Sequence, residues 1–146
     1  RQDREDHPMS RDDASVLFLT EAFYTAFRGR DLAAMGDLWA REAPVTCIHP
    51  GWEAIEGRET VLDSWRAILG GESSMEIRCF GAKVMLHGET ALVVCYEALG
   101  GGLLAATNVF AREAGNWRLV HHQAGPCQTN PAELKERLGE QEDRLQ

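Results

Sequence analysis

MEIRCFGAKVMLHGETALVVCYEALGGGLLAATNVFAREAGNWRLVHHQAG, residues 75–125, decides the fold. Its apolar residues recur with a period of two, and it breaks into four strand-like runs, MEIRCFGAKVML, ALVVCYEAL, LLAATNVFARE and WRLVHHQAG. The connections HGET, GGG and EAGN are short enough to make successive strands antiparallel neighbours, so the second half of the chain reads as a meander. Gly81, isolated inside the first run, predicts a bulge or sharp bend and hence a curved sheet. ALVVCYEAL is apolar on both faces, which a sheet with one wet face does not need; one face is expected to meet helices and the other a second subunit.

Upstream the period lengthens to that of helices. Residues 1–10 read as a flexible, charged arm, and Ser10 with Asp13 is close to a capping box that starts a helix. Val16, Leu19, Phe23 and Phe27, widened by Leu17, Phe18 and Tyr24, mark its apolar stripe, and Gly29 offers a stop. Asp31 can N-cap a second, shorter helix with Leu32, Met35, Leu38 and Trp39 on one face. Pro44 breaks the pattern, and VTCIH (45–49) reads as a short strand ending at Pro50-Gly51. The loop PGWEAIEG leads to a third amphipathic helix carrying Val61, Leu62, Trp65, Ile68 and Leu69, closed by Gly70-Gly71. Beyond Cys127 the chain turns polar, and Asn130-Pro131 is the start signal for a C-terminal helix with a thin stripe of Leu134, Leu138 and Leu145.

A chain of 146 residues has room for one core. Its 44% hydrophobic and 26% charged residues are those of a globular protein and exclude collagen-like, low-complexity or wholly disordered chains. A formal net charge of −8 argues against nucleic acid or an anionic lipid surface as partner. No apolar run reaches the roughly 18 to 20 residues that span a bilayer, and RQDREDHPMS carries no signal-peptide core, so a cytoplasmic address is expected. Cys47, Cys79, Cys95 and Cys127 form no CxxC, and the first three fall in apolar strand-like runs, which reads as reduced core cysteines.

Three stretches resemble the SnoaL-like branch of the NTF2-like superfamily: FYTAFRGRDLAAMGDLWAREAPVTCIHPGW (23–52), IEGRE (55–59) and ATNVFAREAGNWRLVHHQAGP (106–126). The likeness extends over residues 15–126. Trp117, Val120, His121, Gly125 and Pro126 are similar to the last strand of that branch and of the calmodulin-dependent kinase II association domain. A second His and a Ser are common there, where this chain has Gln123 and Gly125. The resemblance implies an α+β cone, with three N-terminal helices packed in a strongly curved antiparallel sheet, a pocket at the open end and dimerisation through the outer sheet face. It divides the chain into the arm (1–10), a SnoaL-like domain (11–126) and a C-terminal extension (127–146). The superfamily hosts isomerases, dehydratases, hydrolases, polyketide cyclases and pure association modules, so function rests on individual residues.

His49 is the leading catalytic candidate. It closes the first strand just before Pro50, where strand ends face the mouth of a cone, and an imidazole can act as a general base near neutral pH. In the ketosteroid isomerases of the superfamily a proton-shuttling Asp stands at a similar place. Those enzymes also carry a Tyr on the first helix, but Phe23 holds the matching position here, and Tyr24 lies about 100° further round the helix. A steroid-type isomerase is therefore disfavoured. Alternation along the last strand puts Trp117, Leu119, His121 and Gln123 on one face, taken as the inner one, and Arg118, Val120 and His122 on the other. Trp52 is expected to cover the mouth, while Glu97 and Asn108, polar residues inside apolar strands, need partners that a ligand can supply. The expected ligand contacts are thus Trp52, Tyr24, Glu97, Asn108, His121 and Gln123. Cys47, His49 and His121 could hold a metal only if their strands converge, and Cys47 lies too far along the strand from His49 for a direct hydrogen bond unless a side chain reaches. No metal and no cofactor is expected. Two readings remain open. One is a small hydrophobic molecule bound in the cone, with His-mediated proton transfer of a cofactor-independent isomerase, cyclase, dehydratase or hydrolase kind; the other is a homodimeric association module with a vestigial pocket.

Overall fold

The computed structural model describes residues 9–71 and 76–145, with side chains to residue 140. Most of the N-terminal arm, the start of the first long run at Met75 and the side chain of Leu145 lie outside them. The meander forms as its turns dictate. Strands β3 (Arg78–His87), β4 (Thr90–Leu99), β5 (Gly102–Glu113) and β6 (Asn116–Pro126) pair antiparallel in sequence order. Between Leu99 and Gly102 the two central residues, Gly100 and Gly101, have φ of 57° and 85°, the left-handed backbone that a two-residue hairpin with native twist requires.

Three helices fill the inner face of the sheet. Helix α1 (Arg11–Arg28) begins with a complete capping box between Ser10 and Asp13, and Asp31 caps α2 (Leu32–Leu38) through the backbone N–H of Ala34. Between α2 and α3 (Arg58–Leu69) the chain forms β1 (Thr46–Ile48) and the two-residue β2 (Ile55–Glu56). The order across the sheet is β2-β1-β6-β5-β4-β3, and β1 lies parallel to β6. The sheet is therefore open and mostly antiparallel, with one parallel pair that alternation alone does not announce. β2, read as loop, exists only because the 50–57 turn brings Ile55 back against Cys47. Phe23, Trp39, Val61, Trp65, Val93, Phe110 and Leu119 are at the centre of the core.

Two irregularities shape the sheet. The β3–β4 register shifts between Phe80 and Lys83, around Gly81 at φ 68°. A Cβ at Gly81 would come 2.8 Å from Leu138 Cδ1, so glycine serves both the backbone and the packing of helix α4 (Pro131–Leu145). α4 docks on β3, with Leu134 buried and Lys135 Nζ 4.9 Å from the centre of the Phe80 ring. The second bulge lies in β6. Val109 pairs with His121 but Phe110 with Leu119, which leaves Val120 as an extra residue. It reverses the alternation, so Trp117, Leu119, His122 and Ala124 face the core. The assignment of His121 and Gln123 to the inner face is thereby corrected.

Candidate functional site

Where β1, β4 and β6 end near the C-terminal half of α3, the core opens into a cavity of about 210 Å³. Its apolar wall includes Phe27, Trp52, Trp65, Ile68, Ile77 and Leu104. Three titratable side chains enter this wall: His49, Glu97 and His122, exposed by 3%, 2% and 1%. Each arrives by strand parity. Val45, Cys47 and His49 form the buried alternation of β1, Glu97 continues the inward row Ala91, Val93, Cys95 of β4, and His122 is turned inward by the β6 bulge.

Their protons follow from their partners. Ser64 Oγ donates to the Val61 carbonyl at 2.6 Å and so accepts from His49 Nε2 at 2.9 Å, which leaves His49 Nδ1 as the acceptor nitrogen, with Cys47 Sγ 4.0 Å from it. His122 Nδ1 donates to Asn108 Oδ1 at 2.6 Å, and its Nε2 stands 4.0 Å from Glu97 Oε2. Tyr24 donates to Glu97 Oε2 at 2.5 Å and accepts from Asn108 Nδ2 at 3.4 Å. The four side chains thus form a network reaching from α1 through β4 and β5 to β6.

Burial sets the ionisation. It pushes Glu97 up to about 7 against the opposing effect of the Tyr24 hydrogen bond. Desolvation pushes His49 down to about 4, and desolvation with the neighbouring His49 and His121 pushes His122 down to about 3. At neutral pH both imidazoles are uncharged acceptors, and Glu97 is the group poised to exchange a proton. Tyr24 is held far above its ordinary range by burial and by Glu97 and Cys95, so it stays a phenol.

Of the residues singled out in the sequence, His49, Trp52 and Glu97 line the cavity. Trp52 is 46% exposed at its rim, with its ring 4.8 Å from that of His49. Tyr24 and Asn108 stand behind the wall and orient Glu97 and His122. His121 lies on the outer face, hydrogen-bonded to Thr46 Oγ1 at 2.6 Å, and Gln123 is exposed there. His121 is thus on the far side of the sheet from Cys47 and His49, and among the described residues no three His, Cys, Asp or Glu side chains gather as a metal site. Cys47 Sγ does reach His49, at 3.6 Å from Nε2, but burial pushes its thiol up to about 12 and keeps it neutral. Phe23, at the isomerase tyrosine's place, packs its ring 4.9 Å from that of His122 and offers no donor.

Sequence reading missed His122, Trp65 as a wall of the cavity, and Ser64. The available signal for His122 was Asn108, a buried amide that requires a polar partner on the neighbouring strand. A wider depression of about 760 Å³ lies on the surface between the start of α1 and the β5–β6 turn. There Asp12 accepts from Arg112 and from the Trp117 indole, Arg118 donates to the Asp37 carbonyl, and none of the lining titratable side chains is buried. The smaller cavity, with its titratable groups, is the candidate site.

An α+β cone with acid/base groups buried at its open end is the class that fold and cavity define. Residues 16–127 match the SnoaL-like domain family, and the chain belongs to it. F-box protein SKIP8 of Arabidopsis thaliana is 30% identical over 112 residues, covering 75% of this chain and 48% of that protein. The chain spans about half the length of that curated relative. A candidate dehydratase of the NTF2-like family from Streptomyces avermitilis is 34% identical with a TM-score of 0.71, covering 81% of this chain and 97% of that one. A candidate calcium/calmodulin-dependent protein kinase type II association domain from Thiobacillus denitrificans is 31% identical with a TM-score of 0.68, covering 75% and 93%. Among the described residues no helix is long and apolar enough to cross a membrane.

Proposed function

We propose that this protein binds a small hydrophobic organic molecule in the cone cavity and moves a proton on it, as a cofactor-independent isomerase, cyclase or lyase does. One observation carries the reading: His49, Glu97 and His122 converge, almost wholly buried, on an otherwise apolar cavity. Burying three titratable groups costs stability that apolar residues of similar volume would not, and such costs gather where chemistry needs them. Glu97 carries the proton, Tyr24 and Asn108 hold the network in register, and His49 offers an uncharged acceptor at Nδ1. The dehydratase designation of the Streptomyces relative fits this chemistry.

Titration with benzene, followed by the indole N–H resonances of Trp52 and Trp65, tests the binding half. Saturable shifts that the cavity-filling Ala124→Phe removes are expected, and a spectrum indifferent to benzene sinks the proposal. For any turnover, an inflection near pH 7 should vanish in Glu97→Gln. Self-association through the outer face belongs to the same proposal, because Leu92, Val94 and Tyr96 remain only half-buried there. Sedimentation of Val94→Lys beside the wild type tests it, with loss of a dimer expected and an unchanged profile the contrary result.

A further inference from the structure

Two cysteines between α1 and the sheet stand outside the chemistry proposed for the cavity. A groove of about 450 Å³ runs between α1 and β3, with Leu17, Thr20, Tyr24, Arg28, Cys79 and Gly81 among its lining residues. Cys79 is partly exposed, Cys95 is buried on β4, and both thiols are free. Pairing across β3 and β4 sets Cys79 opposite Glu97. Cys95 precedes Glu97 by two residues, so it shares that face and lies diagonally across from Cys79. The register shift after Phe80 bends β3 beside the pair, and the Cys79 and Cys95 thiols are hydrogen-bonded to each other.

The hydrogens in this cluster run in one direction. Tyr24 Oη lies 3.3 Å from Cys95 Sγ and gives its own proton to Glu97 Oε2. Cys95 is therefore the donor to Tyr24, and Cys79 the donor to Cys95. Cys79, Cys95, Tyr24 and Glu97 thus form a run of donors from the groove to the cavity wall, in which each bond polarises the next. Asn108 Nδ2, at 3.4 Å, is the other donor to Tyr24. Cys47 on β1 is separated from β4 by β6 and β5, and Cys127 follows the end of β6, so neither competes for this place.

We infer that Cys79 and Cys95 form an oxidation site, which a hydroperoxide entering the α1–β3 groove converts to a disulfide, removing the two thiol donors that lead to Glu97. Cys79 sulfur attacks the terminal peroxide oxygen, the O–O bond breaks, and an alcohol leaves, or water from hydrogen peroxide itself. Cys95 sulfur then displaces the oxygen of the resulting sulfenic acid as water, and the S–S bond forms. The two sulfurs lose two electrons and two hydrogens, and the hydroperoxide ends as alcohol and water. The hydrogen bond to Cys95 and burial push the Cys79 thiol up, which makes its thiolate scarce and the reaction slow. Its end point, not its rate, is the readout.

The test treats the reduced full chain with excess hydrogen peroxide to completion, blocks remaining thiols with iodoacetamide in urea, and digests with trypsin without reductant. Cleavage after Arg78, Lys83 and Arg112 puts Cys79 on peptide 79–83 and Cys95 on peptide 84–112. Mass spectrometry should find the two joined in most molecules, lighter by two hydrogens than their sum once any oxygen on Met85 is allowed for, and dithiothreitol should part them. The joint variant Cys47→Ser, Cys127→Ser should keep the link and Cys79→Ser should lose it, while the wild-type masses stand on their own should a variant fold poorly.

A second measurement follows the ¹³C resonance of the Glu97 carboxyl against pH before and after oxidation. With Asn108 left as the one donor to Tyr24, the carboxylate is less stabilised, so its midpoint should move upward and return on reduction. His49 and His122, which face Glu97 in the cavity, are uncharged throughout this range, and Tyr24 remains a phenol. Thiols that both stay free, an overoxidised Cys79 beside an alkylated Cys95, or links made through Cys127 overturn the pair. A joined pair with an unmoved Glu97 midpoint overturns the run of donors. None of these outcomes bears on benzene binding, which the cavity proposal answers separately.

Discussion

Two glutamates near opposite ends of the sheet show what the fold does with a carboxylate. Glu113, at the end of β5, is solvent-facing, and its oxygens accept from the backbone N–H groups of Arg41, Glu42 and Ala43 at 2.8, 3.0 and 3.0 Å. Those donors hold its carboxyl below the usual range. Close by, Arg58 reaches the carbonyls of Gly36, Trp39 and Ala40, so a charged pair of clamps secures the chain between α2 and β1. Glu97, near the start of the β4–β5 turn, is buried with a single tyrosine donor, and its carboxyl is pushed up to about 7. The first end of the sheet uses charge to fix backbone. The second keeps a carboxyl at a cost in stability, as the proton transfer proposed for it requires.

The largest effect expected from this contrast is on stability against pH. Glu97 binds its proton more tightly folded than unfolded, so its stabilising contribution is complete below about pH 4.5 and is lost as pH rises through about 7. Integrated over that window the loss approaches about 3 kcal/mol. Glu97→Gln has no such loss, so chemical denaturation should show it gaining on the wild type from pH 4.5 to 7.5. A constant difference would mean that Glu97 stays ionised in the fold. His49 and His122 act with the opposite sign, because their depressed values withdraw stability as pH falls below about 6.5 through 4 and 3. The wild type should therefore be most stable between about pH 6 and 7.

At the other end, Arg58→Met should cost about 2 kcal/mol in urea unfolding, since three carbonyls lose a charged donor. Glu113→Gln should lower the melting temperature at pH 7, and that deficit should shrink as pH falls through the depressed carboxyl value of the wild type. Neither change should alter binding of benzene. If either does, the two ends are coupled and the division of labour drawn here fails.

Much of this was legible in the chain because the signals are local. Period-two runs, the Gly100-Gly101 turn, the bulge at Gly81 and the Ser10 and Asp31 caps each depend on a few neighbouring residues, and they sufficed for the meander and the helices. His49 and Trp52, which line the cavity, were singled out by their place at and just after the end of the first strand, and Glu97 as a polar residue inside an apolar run. The parallel docking of β1 on β6 and the short β2 depend on tertiary contact and leave no period to read. Least legible was the β6 bulge. The Ala114-Gly115 hairpin sets Trp117 opposite Arg112, and unbroken counting from there puts His121 opposite Asn108; the extra Val120 puts His122 there instead. No glycine or proline marks the spot, so the sequence offers no punctuation to correct the count.

That one-residue shift makes the smallest predicted effect a sharp one. His121 and Gln123 share the outer face, where His121 keeps one hydrogen bond to Thr46 and Gln123 is exposed. His121→Ala should cost no more than about 1 kcal/mol and Gln123→Ala within about 0.5 kcal/mol, the range of single polar contacts and of surface positions. Both variants should bind benzene as the wild type does. Changing the next residue, His122→Ala, should weaken that binding severalfold and remove the Asn108 partner, though its neighbour's replacement does neither. If instead His121→Ala disturbs the cavity and His122→Ala leaves it unchanged, β6 runs without its bulge, and the network of Tyr24, Glu97, Asn108 and His122 must be redrawn around His121.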